Sequence, residues 1–307
     1  MNRQVIRVGT RGSDLALWQA QWLMERLQAH HPHIDFQVVE VTTRGDRERQ
    51  MPLHRAGGVG LFVKALEIAL LDRDIDLAVH SLKDMPSRVP PSLALAAVPQ
   101  RADPRDALVS PSGASLLGLP PGASVGTGSP RRKAQLLAHR PDLSVIGIRG
   151  NVETRLAKLA GPDYDALILA VAGLKRLTRE DVITEVLPPH VSLPAAGQGS
   201  LAVEIRADDE RTRAVVEPIN HPASWAAAAA ERGFMAGLSA GCHVPAAAYA
   251  VVDGSELWLR GLVASHDGQR MIRSERRRPM HHAEALGHTV ASDLLDRGAG
   301  ALLNRET

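Results

Sequence analysis

Four residues that can do chemistry crowd together at His80, Ser81, Lys83 and Asp84. They follow a short apolar run, Leu77-Ala78-Val79, that suits a strand buried on both faces. Pro86 stops any continuation of that strand. Open α/β sheets bind ligands just beyond the carboxyl ends of their strands. A carboxylate at such a point handles protons or stabilises a cation, and an ammonium holds an anion. Taken alone, a Lys-Asp pair is more often a solvated loop with two opposite charges. The rest of the chain decides between the two.

Further candidates recur at the starts of helices. Arg11-Gly12-Ser13-Asp14 follows the strand-like alternation Val5–Thr10, with Ser13 or Asp14 placed to cap a helix. Free N–H groups and the macrodipole favour an anion there, and Arg11 adds a fork-shaped donor. An ordinary turn with a solvated arginine fits equally well. Thr127-Gly128-Ser129-Pro130 opens a helix beginning Arg131-Arg132-Lys133. Small hydroxyls, a glycine and three cations make an anion cradle, although the spacing is not that of the phosphate loop. Solvated cations are the alternative. Arg149 and Arg155 follow a strand-like Ser144–Ile148, and Lys175 and Arg176 follow Asp165–Ala170. Each arginine is weak by itself, and their recurrence beyond successive strands is the signal. Cys242 is the single cysteine. Free cysteines are usually inert and buried, but Gly237 and Gly241 argue for a loop here. His243 beside it would face the other way, so no dyad is expected. His30, His31 and His33 are broken up by Pro32 and read as surface residues, not metal ligands.

The elements that must position these residues come as strand–helix alternations. Helices are expected over Leu15–Ala29, Leu61–Leu71, Asp208–Asn220 and Ala283–Arg297, with others after Pro130, Asn151 and Pro222. Thr42 to Gly60, with four glycines, is long enough to be a lid. Pro99–Pro104 and Leu193–Gly199 read as two crossings between domains, and Leu201–Ile205 as a strand able to rejoin the first sheet. The expected division is 1–99 with 200–217, 105–193, and 222–307. The fold class is α/β: two lobes with mixed sheets, plus a small α+β C-terminal domain with an antiparallel sheet. The basic run Arg270–Arg278 reads as a solvated strand face, and no internal repeat is visible.

Composition narrows the classes. A net charge of +2 gives no global field for nucleic acid, and 3% aromatics supply few stacking platforms. No apolar stretch is long enough for a membrane span, no signal-peptide core is expected, and one cysteine allows no internal disulfide. A cytoplasmic enzyme without nucleic-acid or membrane partners is the expectation.

His80-Ser81-Leu82-Lys83-Asp84-Met85-Pro86, Gly126-Thr127-Gly128-Ser129-Pro130-Arg131-Arg132, Leu169-Ala170-Val171-Ala172-Gly173-Leu174-Lys175-Arg176 and Gly241-Cys242 together resemble the porphobilinogen deaminases, also called hydroxymethylbilane synthases. The resemblance runs through nearly the whole chain in the same motif order. It implies lobes like those of type II periplasmic binding proteins and a transferase of tetrapyrrole (haem) biosynthesis. Such an enzyme joins four porphobilinogen molecules head to tail, releases ammonia at each step, and yields hydroxymethylbilane. The chain grows on a dipyrromethane cofactor held by a thioether, here implied at Cys242, with the catalytic aspartate implied at Asp84. The resemblance also implies that Ser81, Lys83, Thr127, Ser129, Arg131 and Arg132 hold the cofactor. Arg11, Ser13, Arg149, Arg155 and Arg176 would hold substrate or the growing chain, and no metal is implied. Two departures stand out: Val59 where many members carry lysine, and His243 where many carry glutamine. The rival readings are a bilobal anion receptor, an effector-sensing lobe of a regulator, and an inactive family member.

Overall fold

The computed structural model describes residues 4–41, 60–239 and 244–303. The expected lid, with Val59, and the Cys242–His243 pair lie outside the described residues. The chain divides into two compact units, Met1–Arg101 with Ser200–Trp225, and Ala102–Gly199 with Ala226–Thr307. In chain order come β1 (Gln4–Thr10), α1 (Asp14–His30), β2 (Ile34–Glu40), α2 (Gly60–Leu71), β3 (Leu77–Ser81) and β4 (Leu93–Ala97). Next are β5 (Asp106–Val109), β6 (Ser124–Gly126), α3 (Pro130–His139), β7 (Ser144–Ile146), α4 (Val152–Leu159), β8 (Ala166–Ala170), α5 (Val171–Arg176) and β9 (Glu185–Leu187). The chain closes with β10 (Leu201–Arg206), α6 (Glu210–Val216), α7 (Pro222–Gly237), β11 (Ala246–Asp253), β12 (Glu256–Ala264), β13 (Met271–Pro279), α8 (Ala283–Asp296) and α9 (Gly300–Leu303).

The first unit holds a five-stranded sheet in the order β2-β1-β3-β10-β4. Only β10 runs antiparallel to its neighbours, so the sheet is mixed, and β10 joins the first sheet as its sequence suggested. β3 is buried on both faces, as its apolar run predicts. Leu77 and Val79 pack with Leu23 and Leu27 of α1, while Ala78 packs with Leu66 and Leu70 of α2. The second unit holds a sheet of order β7-β6-β8-β5-β9, with β5 the antiparallel strand. Leu108, Val125 and Ile168 cover one side with Leu136 of α3, and Leu167 and Leu169 the other with Leu159 and Leu174. The two sheets therefore repeat one topology, with the antiparallel strand fourth in each. No sequence repeat shows this, because topology follows where apolar runs and crossings fall, not which residues fill them.

The antiparallel sheet β11-β12-β13 also belongs to the second unit. One face packs on Phe234 of α7 and on Leu286, Val290 and Leu294 of α8. Two local expectations change. Asp208–Asn220 is not one helix: α6 stops at Val216 and a 3-10 turn follows over Glu217–Ile219, where Pro218 has no N–H to donate. Val171-Ala172-Gly173, where the apolar strand from Asp165 was expected to end, instead open helix α5. β9 is a three-residue edge strand, too short for its sequence to announce.

Candidate active site

In the first unit β1 and β3 are parallel neighbours, so their carboxyl ends lie at the same edge of the sheet. Beyond β1, Ser13 caps α1 by accepting from the Ala16 amide at 3.3 Å. Beyond β3 a 3-10 turn spans Leu82–Asp84. Leu82 and Met85 are buried and pin that turn, and the Leu82 amide donates to the Ser200 carbonyl at 3.0 Å. Lys83 is left half-buried and Asp84 exposed. Gln19, a buried residue of α1, donates to the Ser81 hydroxyl at 2.9 Å and ties the helix to the end of β3. Arg11, Ser13, Ser81, Lys83 and Asp84 thus sit on elements ending at one sheet edge.

Behind the turn His80 is paired with a residue that the sequence did not single out, Glu204. His80 Nε2 is 3.0 Å from Glu204 Oε2, and both side chains are buried. Desolvation, and then the Glu204 charge, raise the Glu67 carboxyl above its ordinary value. Acid and imidazole on adjacent strands are within one sheet neighbourhood only because β10 returns beside β3.

In the second unit the cradle at the start of α3 takes a form the sequence hid. Ser129 caps the helix by accepting from the Arg132 amide at 3.4 Å, and Thr127 Oγ1 accepts from the Ser129 amide at 3.2 Å. Arg131 and Arg132 are buried and converge on Asp106 at the start of β5, which is fully buried. Asp106 Oδ1 accepts from Arg131 Nη2, from Arg132 Nε and Nη2, and from Gln198 Nε2. Its Oδ2 accepts from Arg131 Nη1 at 2.8 Å and Ser192 Oγ at 2.7 Å. Burial alone would raise the Asp106 carboxyl, but the two guanidiniums outweigh it and hold it far below the usual carboxylate range. Burial also lowers Arg131, against the pull of Asp106. Two guanidiniums on one carboxylate leave an excess of one buried positive charge. Arg131 Nε is buried without a hydrogen-bond partner among the described residues. Lys133, the third cation of the run, is exposed.

The remaining arginines follow the other strands of this sheet. Arg149 is exposed in the turn before α4, and Arg155 of α4 donates from Nε to the Gly150 carbonyl at 2.8 Å. Arg176, at the end of α5, donates from Nη2 to the Gly199 carbonyl at 2.8 Å, and burial pushes its guanidinium down to about 10. That carbonyl also accepts from the Ala102 amide at 3.1 Å, so the two crossings are bonded to each other. Gly199 has φ +87°, and a Cβ there would lie 2.5 Å from the Ala102 carbonyl oxygen, so only glycine fits. Asp106, Ser192 and Gln198 were missed from sequence. The one available signal was a carboxylate heading an otherwise apolar strand.

Among the described residues no three potential ligand side chains gather as a metal site, and no helix is long and apolar enough to cross a membrane.

The charged features of this α/β protein are thus a carboxylate displayed beyond a buried strand in one unit and a buried guanidinium excess at a helix start in the other. Residues 6–214 match the family model described as the porphobilinogen deaminase dipyromethane cofactor binding domain, and residues 225–296 match the porphobilinogen deaminase C-terminal domain. The chain belongs to the porphobilinogen deaminase family. A curated relative, the porphobilinogen deaminase of Syntrophotalea carbinolica, is 49% identical over 303 residues, covering 99% of this chain and 96% of that protein. Among solved structures, the methionine-binding protein MetQ is 12% identical with a TM-score of 0.45, over 71% of this chain and 89% of that one. A probable amino-acid transporter binding protein of Bacillus subtilis is also 12% identical, with a TM-score of 0.41 over 71% and 90%.

Proposed function

We propose that this chain is an active porphobilinogen deaminase. It condenses four porphobilinogen molecules head to tail, with loss of ammonia, to hydroxymethylbilane. The observation that carries this reading is Asp84, held exposed on a pinned turn beyond β3. Loss of ammonia leaves the substrate's methylene carbon electron-poor. The Asp84 carboxylate stabilises that positive charge near the pyrrole N–H; once the carbon–carbon bond has formed, it takes up the α-carbon proton that the attacking pyrrole sheds to regain its aromaticity. Lys83 and Ser81 flank it as donors to acid side chains. Arg11 and Ser13 at the start of α1, and Arg149, Arg155 and Arg176 in the other unit, hold the acetate and propionate groups that accumulate as the chain lengthens.

A dipyrromethane group, when bound, supplies the pyrrole carbon on which the first condensation occurs. The residues present suit it. The buried positive excess around Asp106 and the unpartnered Nε of Arg131 answer a group bearing carboxylates. Thr127, Ser129, Arg131 and Arg132 are the residues that would hold those carboxylates, and Cys242 would carry the thioether. In this reading the protein is a cytoplasmic monomer whose catalytic lobe is 1–99 with 200–217, whose anion-binding lobe is 105–193, and whose cofactor is carried by 222–307.

Intact-mass measurement tests the reading. The purified protein should weigh more than its sequence by two pyrrole units, and Cys242→Ser should lose that increment. Adding porphobilinogen should give further increments of one pyrrole unit each and release the linear tetrapyrrole. An unmodified mass together with no tetrapyrrole formation would reject it.

A further inference from the structure

A pocket of about 520 Å³ lies against β12 and β13 of the antiparallel sheet. Its lining includes Trp258, Arg260, Arg273, Glu275, Arg276 and Arg297. The size falls within the roughly 300–1,000 Å³ of small-ligand sites. From sequence this run was a solvated basic strand, and nothing in the proposed condensation uses it.

Arg260 stands on β12 opposite Tyr249 of β11 and Glu275 of β13. Its guanidinium carbon lies 4.4 Å from the Trp258 ring centre and 5.0 Å from that of Tyr249. Rings against the flat faces of a guanidinium fix its plane and leave only the N–H edge for hydrogen bonds. Arg260 Nε is buried and has no acceptor among the described residues. A buried donor without an acceptor costs free energy, so this one calls for an acceptor that the described residues do not supply.

The neighbouring cations are similarly unspent. Arg273 donates to the Met271 sulfur, from Nη2 at 3.0 Å and Nε at 3.3 Å. A thioether is a weak acceptor, easily exchanged for a carboxylate. Arg297 donates to the Arg273 carbonyl at 2.6 Å and so stands beside it. Arg276 is neutralised by Asp293 at 2.7 Å. That leaves Arg260, Arg273 and Arg297 against Glu275, a net charge of +2 in one pocket. In the β12–β13 register Arg260 is opposite Glu275 and Arg273 opposite Leu262, so the two arginines are diagonal neighbours. Diagonal positions lie about 7–8 Å apart. Two forks at that spacing, with two charges to balance, fit two separated carboxylates better than one compact phosphate.

We propose that this pocket binds a small dicarboxylate. Two sources share that chemistry: an aliphatic dicarboxylate, or a second molecule of porphobilinogen, whose ring bears an acetate and a propionate. The site stands on its own residues and does not depend on the catalytic assignment.

Titration calorimetry of the full-length holoprotein at fixed ionic strength tests it, with succinate, porphobilinogen and inorganic phosphate as probes. The porphobilinogen arm uses Asp84→Asn protein, in which turnover is suppressed. Saturable binding of one succinate per chain is expected, weakened at least tenfold in Arg260→Gln and, independently, in Arg273→Gln on the exposed edge strand. Arg260→Lys, which keeps the charge but loses the fork, should fall between. Melting temperature and turnover without succinate should match the parent. Porphobilinogen binding that Arg260→Gln weakens would make the substrate an occupant; binding confined to succinate would make an unrelated dicarboxylate the occupant. No saturable binding of either dicarboxylate, affinities unchanged in both glutamine variants, or phosphate binding as tightly as succinate would overturn the proposal. Because turnover is read on the same variants, failure of the site is distinguishable from failure of the proposed activity.

Discussion

Asp106→Asn is the perturbation that most sharply tests how the arginine cluster is held. The substitution keeps the shape of the side chain but removes its charge, and it turns one of two acceptor oxygens into a donor. That donor would face Arg131, Arg132, Ser192 or Gln198, all of which now donate to the carboxylate. The buried charge rises from +1 to +2 with no counter-ion. Breaking a buried pair by removing one partner costs about 3–5 kcal/mol. At about 2–4 °C per kcal/mol for a unit of this size, the melting temperature should fall by roughly 6–20 °C. Arg131→Met is the paired control. It leaves Arg132 with Asp106, a neutral pair, and should cost less than Asp106→Asn although it removes more atoms.

The pH dependence has a definite sign. The folded Asp106 carboxyl is held far below its ordinary 3.8, so its contribution is complete above that value and is lost as pH falls toward the folded value. Scanning calorimetry of the full-length protein should therefore show the parent–variant gap at its widest at about pH 5–8. The gap should narrow below about pH 4. A gap under about 1 kcal/mol at neutral pH, or a larger loss in Arg131→Met than in Asp106→Asn, would refute the reasoning.

Asp84→Asn should lower kcat for tetrapyrrole formation by about 10²–10⁴-fold. It should leave the far-ultraviolet circular dichroism and melting temperature unchanged, because the side chain is exposed; near-parental turnover would remove Asp84 from the centre of the chemistry. Gly199→Ala places a methyl group 2.5 Å from the Ala102 carbonyl at a φ of +87°. It should destabilise the protein by about 2–5 kcal/mol, from a left-handed backbone and a forced shift. The same change disturbs the carbonyl that receives Arg176, so KM for porphobilinogen should rise; an unchanged KM with the expected loss of stability would detach Arg176 from substrate binding.

The local elements were legible because each is written in nearby residues. The run Leu77–Val79 stops at His80 and Pro86, and β3 ends where that change of chemistry falls. Pro130 after Ser129 marked the start of α3, and Ser13 before Asp14 the start of α1. These signals act within a few residues, through caps, fixed φ angles and the spacing of apolar side chains. The arginines were visible as a class, since a cationic residue beyond several strands is a pattern in one dimension.

What each arginine does was not visible. Arg131 and Arg132 read as open cations, yet they are buried against a carboxylate that stands 25 and 26 positions earlier in the chain. Asp106 reaches them only because β5 pairs between β8 and β9 in the second sheet. The pairing of His80 with Glu204 spans 124 positions and exists only because β10 returns beside β3. Likewise, the basic strand β13 is a solvated run in the sequence, and lines a pocket only because its pairing with β12 brings Trp258 and Arg260 beside it. The sequence by itself determined the strands, helix starts and chemical types, because those depend on neighbours along the chain. Which charges are paired, buried or left over is a property of distances in three dimensions, and the crossings between sheets decided it.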